Sequence, residues 1–148
     1  MARASVSGEL ATSVDAAWAL LSDLDRFGEW LTIHDAWEGG IPRLAEGATL
    51  IELVTVMGIS SRVEWTIVAF DPPSSFAISG IGMAGARIEL TIGLADTGGS
   101  TTVTLEAEFT GQLMVGAIGE AVEKNSTAEL HTSLGRLQDL VRVMQDAG

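Results

Sequence analysis

The chain has 148 residues, a formal net charge of −12 and no cysteine. One domain of this length buries roughly 68–70% of the surface its unfolded chain exposes, so a sizeable core is expected, without disulfides or thiolate metal sites. Seven arginines and one lysine lie scattered among twenty acidic residues, which argues against phosphate backbones and anionic membranes as partners. No apolar run approaches the roughly 20 residues of a membrane-spanning helix, and the start has no charged-then-apolar leader. A cytoplasmic protein without membrane insertion is the expectation. Oligomeric state is not legible.

In chain order, residues 3–11 alternate, with Val6, Gly8 and Leu10 set against Ser5, Ser7 and Glu9, and predict a first strand. Thr12 and Asp15 have the spacing of a capping box. It opens a short helix with Val14, Trp18 and Leu21 on one face, and Trp18 is expected in the core. Asp25 is placed to cap a second short helix holding Phe27, Trp30 and Leu31. From residue 33 to 109 the period becomes two. Strands are expected over 33–37, 50–57, 59–70, 76–83, 86–95 and 101–109. Gly58, Ala84-Gly85 and residues 96–100 are the turns, and Pro72-Pro73 breaks the pattern. Seven strands joined mostly by short turns make an antiparallel sheet. Residues 112–146 then read as one long helix, because Leu130, Leu134, Leu137, Val141 and Met144 recur at helical spacing.

Three strands show which face is buried. Val63, Trp65, Ile67 and Ala69 share one side, as do Ile88, Leu90, Ile92 and Leu94, and Val103, Leu105, Ala107 and Phe109. Arg62, Glu64, Arg87, Glu89, Glu106 and Glu108 take the other side. Clean alternation means one solvated and one apolar face. The apolar face carries almost no titratable group, which argues against acid–base catalysis from the sheet. Arg62 has the parity opposite to Trp65 and is expected in solvent.

The order of one strand, two short helices, six strands and a long C-terminal helix resembles the helix-grip fold of the START-like SRPBCC superfamily. The segments Val14-Asp15-Ala16-Ala17-Trp18-Ala19-Leu20-Leu21-Ser22-Asp23 and Phe27-Gly28-Glu29-Trp30 carry that resemblance. Glu29-Trp30-Leu31-Thr32-Ile33-His34 and Glu64-Trp65-Thr66-Ile67-Val68 are similar to the actinobacterial polyketide cyclase/dehydrase-like branch, some of whose members carry a toxin-like name. The resemblance implies an α+β domain over residues 1–148, with a curved seven-stranded antiparallel sheet wrapped around the long helix. It also implies a cavity between the two for a hydrophobic, polyketide-like or lipid-like small molecule. Family members range from lipid carriers to aromatase/cyclases. A binding protein, a cyclase, aromatase or dehydratase, and a toxin of a toxin–antitoxin pair are therefore the readings to separate.

The candidate ligand-contacting residues are Trp30 of the second short helix and Trp65, Ile67, Ile88, Leu90 and Leu105 of the sheet, since aromatic and aliphatic walls suit planar apolar molecules. On the helix the inward stripe runs back from Leu130 through Thr127, Ser126, Glu123 and Gly119. Either this first half overhangs the sheet and meets water, or Glu123, Ser126 and Thr127 are the polar groups of the cavity. Glu123 and His34 are then the candidate proton-handling groups. Gly116 and Gly119 either loosen the helix start or mark its boundary.

Three further motifs read as structural. Gly80-Ile81-Gly82-Met83-Ala84-Gly85 matches GxGxxG but precedes a strand, whereas a dinucleotide site needs a helix there. His131 and Glu129, two apart on a helix, cannot share a metal ion, so neither metal nor cofactor is expected. Asn125-Ser126-Thr127 matches a glycosylation sequon but falls within the helix.

Overall fold

Alternation of apolar and polar side chains builds one seven-stranded sheet in the computed structural model, which describes residues 2–82 and 85–147. The strands are β1 (Ala2–Leu10), β2 (His34–Glu38), β3 (Thr49–Val56), β4 (Ile59–Asp71), β5 (Ser75–Ile81), β6 (Arg87–Asp96) and β7 (Thr101–Thr110). The helices are α1 (Val14–Leu21), α2 (Phe27–Trp30), preceded by a 3-10 turn (Leu24–Arg26), and α3 (Gly116–Ala147). Across the sheet the order is β1-β7-β6-β5-β4-β3-β2, with every pair antiparallel. Strands β2 to β7 form a meander. Strand β1 closes the far edge, so the chain must cross from one edge to the other before β2, and α1 and α2 make that crossing. The sheet is curled, and α3 lies in its concave side.

Local chemistry explains the corners. Met57 and Gly58 both have positive φ (54° and 77°), as the tight two-residue hairpin between β3 and β4 requires. A register shift between Ile67 and Ala69 turns the strand over: Val63, Trp65 and Ile67 are buried, but Ala69, expected on the same face, is exposed. Gly80 sits where an added Cβ would come within 2.5 Å of Glu64 O and 2.9 Å of Val63 Cγ1. Gly80 and Gly82 of the GxGxxG match therefore serve close strand packing and Gly85 a turn at positive φ (71°), while Met83 and Ala84, the expected end of that strand and start of its turn, lie outside the described residues.

Several expected boundaries move. The cap of α1 is Ser13, whose Oγ accepts from Ala16 N–H (3.2 Å). Thr12 stays in the turn out of β1, where its carbonyl accepts from Thr101 Oγ1 (2.9 Å). Asp25 lies inside the 3-10 turn and caps nothing. Instead, Arg26 donates to Glu29 (2.8 and 3.1 Å), a bond that holds the exposed Glu29 carboxyl below the usual carboxylate range. Trp18 is only half-buried, wedged against Phe70 and Phe76 at the margin of the core. Gly116, with φ of 58°, marks the true start of α3, four residues later than the apolar pattern implied. At the other end Met144 is exposed, whereas Leu130, Leu134, Leu137 and Val141 are buried.

Helix α3 is lashed along the edge strand. Arg3 N–H donates to Glu123 Oε2 (3.0 Å), and Gln138 Nε2 donates to Glu9 O (3.2 Å). Fifteen helical residues rise about 22 Å and six strand residues about 20 Å, so helix and strand run side by side in step. Edge strands expose unpaired backbone groups that invite aggregation, and Glu123 and Gln138 occupy two of them here. Gly8 makes the approach close, since a Cβ there would lie 2.9 Å from Leu134 Cδ2.

Candidate functional site

The concave face of the sheet and the inner face of α3 do not meet tightly everywhere. Between them lies a cavity whose sheet wall is apolar: Val54, Val56, Trp65, Ile88, Ala107 and Phe109. The opposite wall is different. Asn125, Ser126, Glu129 and Ser133 come from α3, and Thr32 from the loop after α2. They share a face because 126, 129, 130 and 133 follow the helical repeat. Thr32 N–H donates to Ser133 Oγ (3.1 Å), Ser133 Oγ–H donates to Thr32 Oγ1 (3.4 Å), and Thr32 Oγ1–H donates to the Glu129 carboxylate. This short relay ties the 31–33 loop to α3. It also sets Glu129 among the lining residues, although the surface that faces the chamber is apolar.

Room for the centres of water molecules amounts to about 40 Å³ in this cavity, against roughly 10–15 Å³ for a single water. Two smaller voids adjoin it. One, of about 20 Å³, shares Leu31, Leu90 and Leu130 with it, and the other, of about 10 Å³, shares Val56, Ile88 and Phe109. The interior is thus a row of chambers partitioned by apolar side chains.

Under the sheet wall lies a second polar group. Glu52 is wholly buried; it accepts from Trp65 Nε1–H (2.9 Å) and from His34 Nδ1. The expectation of an apolar face nearly free of titratable groups fails at this point. Glu52 has the inward parity of Leu50, Val54 and Val56, and its partners supply the hydrogen bonds that a buried carboxylate needs. His34 is packed between Phe27 and Trp37 and walls none of the three chambers.

The candidate residues separate into groups. Trp65, Ile88, Leu90, Ser126 and Leu130 wall the main cavity, while Trp30 and Leu105 wall the second void. Ile67 is core and walls neither. Thr127 Oγ1 returns its hydrogen bond to Glu123 O (2.8 Å) in its own helix, and Glu123 is engaged by Arg3. The two accounts of the first half of α3 both hold in part: Ser126 turns into the cavity, Glu123 does not. Arg62 is exposed and paired with Glu38 (2.6 Å). The residues missed were Thr32, Glu52, Asn125, Glu129 and Ser133. Helical spacing from Ser126 and Leu130 would have found Glu129 and Ser133, and strand parity would have found Glu52. Among the described residues no three His, Asp or Glu side chains gather as a metal site, and no helix is long and apolar enough to cross a membrane.

One buried donor has no acceptor. Trp30 is 1% exposed, and its Nε1–H has no hydrogen-bond partner, alone in this among the buried side-chain polar atoms of the described residues. Leaving such a group unsatisfied costs about 1–3 kcal/mol.

Residues 1–142 match the family described as polyketide cyclase/dehydrase and lipid transport. The chain belongs to that family. Within this reach of similarity lie two Mycobacterium tuberculosis proteins. Rv1546 is 30% identical over 141 residues, covering 95% of this chain and 99% of its own. A protein named Toxin Rv0910 is 33% identical over 135 residues, covering 90% and 94%. A START superfamily protein from Mycobacterium smegmatis shares the fold at a TM-score of 0.75 and 17% identity, with 96% of this chain and 98% of that one aligned. The helix-grip, START-like architecture is therefore the architecture of this chain. The polyketide cyclase/dehydrase and lipid transport family spans catalysts and carriers by its own description, so the choice between them falls to the cavity.

Proposed function

We propose that the protein binds a hydrophobic small molecule, polyketide-like or lipid-like, in the interior between the sheet and α3. The observation that carries this reading is the make-up of the cavity wall, an apolar surface from the sheet with a few polar residues of α3 and the 31–33 loop behind the other side. Small-molecule sites have that composition. The chambers as they stand are far smaller than the roughly 300–1,000 Å³ of ordinary ligand pockets, so binding has to merge them. The partitions are side chains, chiefly Leu31, Leu90 and Leu130, and two of the three sit on the elements joined by the Thr32 relay. Outward movement of the 31–33 loop from α3 opens the row from one side. The charge of −12 keeps nucleic acid and anionic lipid surfaces off the list of partners. Native mass spectrometry and thermal shift with polyketides, fatty acids and sterols test the reading. A one-to-one adduct with a raised Tm is expected; no adduct with any of the three classes at saturating concentration sinks it.

A second reading, a cyclase, aromatase or dehydratase, is favoured by Glu129. It is the acidic residue among those that line the main cavity, and Thr32 orients its carboxylate. Glu123 and His34 have other partners, so in this reading Glu129 handles the proton. Turnover of a polyketide substrate that survives Glu129→Gln would remove it. The toxin reading rests on the 33% identity to Toxin Rv0910; growth arrest on induced expression is its test, and normal growth discards it.

A further inference from the structure

We propose that the Trp30 indole N–H is the hydrogen-bond donor for a neutral oxygen of the ligand, a ketone, ester or lactone carbonyl, and that it selects carbonyl-bearing apolar molecules over hydrocarbons and free acids. This deepens the proposed binding function and rests on it. Trp37 Nε1–H is taken by Leu24 O (2.7 Å) and Trp65 Nε1–H by Glu52 (2.9 Å). Trp30 is different. It walls the second void, beside Phe76, Ile78, Ile92 and Leu105, and its donor is buried and unpaired. Phe27 meets it edge to face at 5.1 Å between centroids, a contact that stands in poorly for an oxygen acceptor.

The void that the Trp30 ring walls decides the class of acceptor its N–H can meet once a ligand enters. The void has about 20 Å³, room for a water, yet a water needs two to four polar partners to stay. The two polar residues of that wall, Thr91 and Glu106, face each other across β6 and β7 at positions that alternate outward. A ligand oxygen brings its own acceptor and needs no second partner. No cation lines the void, so a carboxylate placed there would be a buried, unpaired charge. A hydrocarbon would leave the N–H as it is. A neutral carbonyl satisfies the donor without adding charge. The void shares Leu31, Leu90 and Leu130 with the main cavity, so the body of such a ligand extends toward Ser126 and Glu129.

The test uses the full chain with labelled indole nitrogens and three probes of matched length: 2-undecanone, undecane and undecanoic acid. The Trp30 indole proton should move downfield with the ketone and stay in place with the other two. Trp30→Phe keeps the ring and removes the donor; it should weaken the ketone about tenfold and leave undecane unchanged. Equal ketone affinity in wild type and W30F, or an unmoved Trp30 signal in a ketone complex, overturns the proposal while leaving the cavity reading intact. A long-lived water at the Trp30 indole that persists with ketone bound also overturns it. Failure of every probe, and of the polyketides and sterols, overturns both readings. Should W30F not fold, the wild-type indole shift decides, assigned by elimination through W18F, W37F and W65F.

Discussion

Glu52 illustrates how much one side chain can commit. It is fully buried, and each carboxylate oxygen has a partner, Trp65 on one side and His34 on the other. Removing one member of a buried polar group strands the rest. Glu52→Ala is expected to cost about 3 kcal/mol or more, and Tm to fall by about 2–4 °C for each kcal/mol. Glu52→Gln keeps the size and the acceptor for Trp65, and turns an amide donor toward His34; less than half the loss is expected. Thermal melts of the two variants check this, and equal losses would mean that charge, not hydrogen bonding, holds the group together. Strand parity alone places Glu52 inward with Leu50 and Val54. What parity cannot convey is that an indole thirteen residues on and an imidazole eighteen residues back converge on it, because those contacts depend on the β2–β3–β4 register.

At the scale of elements, α3 has two attachments with opposite purposes. Toward β1 it is fixed: Glu123 receives Arg3 N–H, Gln138 reaches Glu9 O, and Leu134 rests on Gly8. Glu123→Ala removes one bond of this lashing, at a cost of about 1 kcal/mol. The Arg3 amide should exchange faster by hydrogen–deuterium exchange, and ligand affinity should not change. A lost affinity instead would return Glu123 to the cavity. Toward the 31–33 loop α3 is held by the Thr32 relay alone among the hydrogen bonds described for that loop and helix. Thr32→Val keeps the shape and cuts the bond to Glu129. Ligand uptake measured by stopped flow should quicken with little change in the core, and an unchanged rate would place the entrance elsewhere. The existence of α3 was legible from five apolar positions, of which all but Met144 are buried. Its start was not, since Gly116 adopts a left-handed φ that ends the helix against its own turn, and the 112–115 sequence continues the apolar pattern regardless. The cap of α1 moved from Thr12 to Ser13 for a similar reason: both residue types can cap, and Thr101 claimed the Thr12 carbonyl from 89 residues away.

For the molecule as a whole, the conflict between stability and binding is set by the row of small chambers. A ligand that binds only the folded state adds about 2.7 kcal/mol at a hundredfold excess over Kd, while unfilled space in the free protein costs stability. Ala107 is the place to separate the two. It is buried on β7, its side chain is small, and it walls the main cavity opposite α3. Ala107→Val adds two methyl groups to that wall without touching a hydrogen bond. Filling a cavity in this way commonly gains about 0.5–2 kcal/mol. Free A107V should therefore melt higher than wild type, yet show a smaller ligand-induced shift, because the space the ligand must take is already occupied. Melting curves with and without a saturating ligand read both quantities in one experiment. A variant that melts lower and still responds fully to ligand would mean that the chamber beside Ala107 is ordinary packing imperfection, and that the ligand lies elsewhere under the sheet.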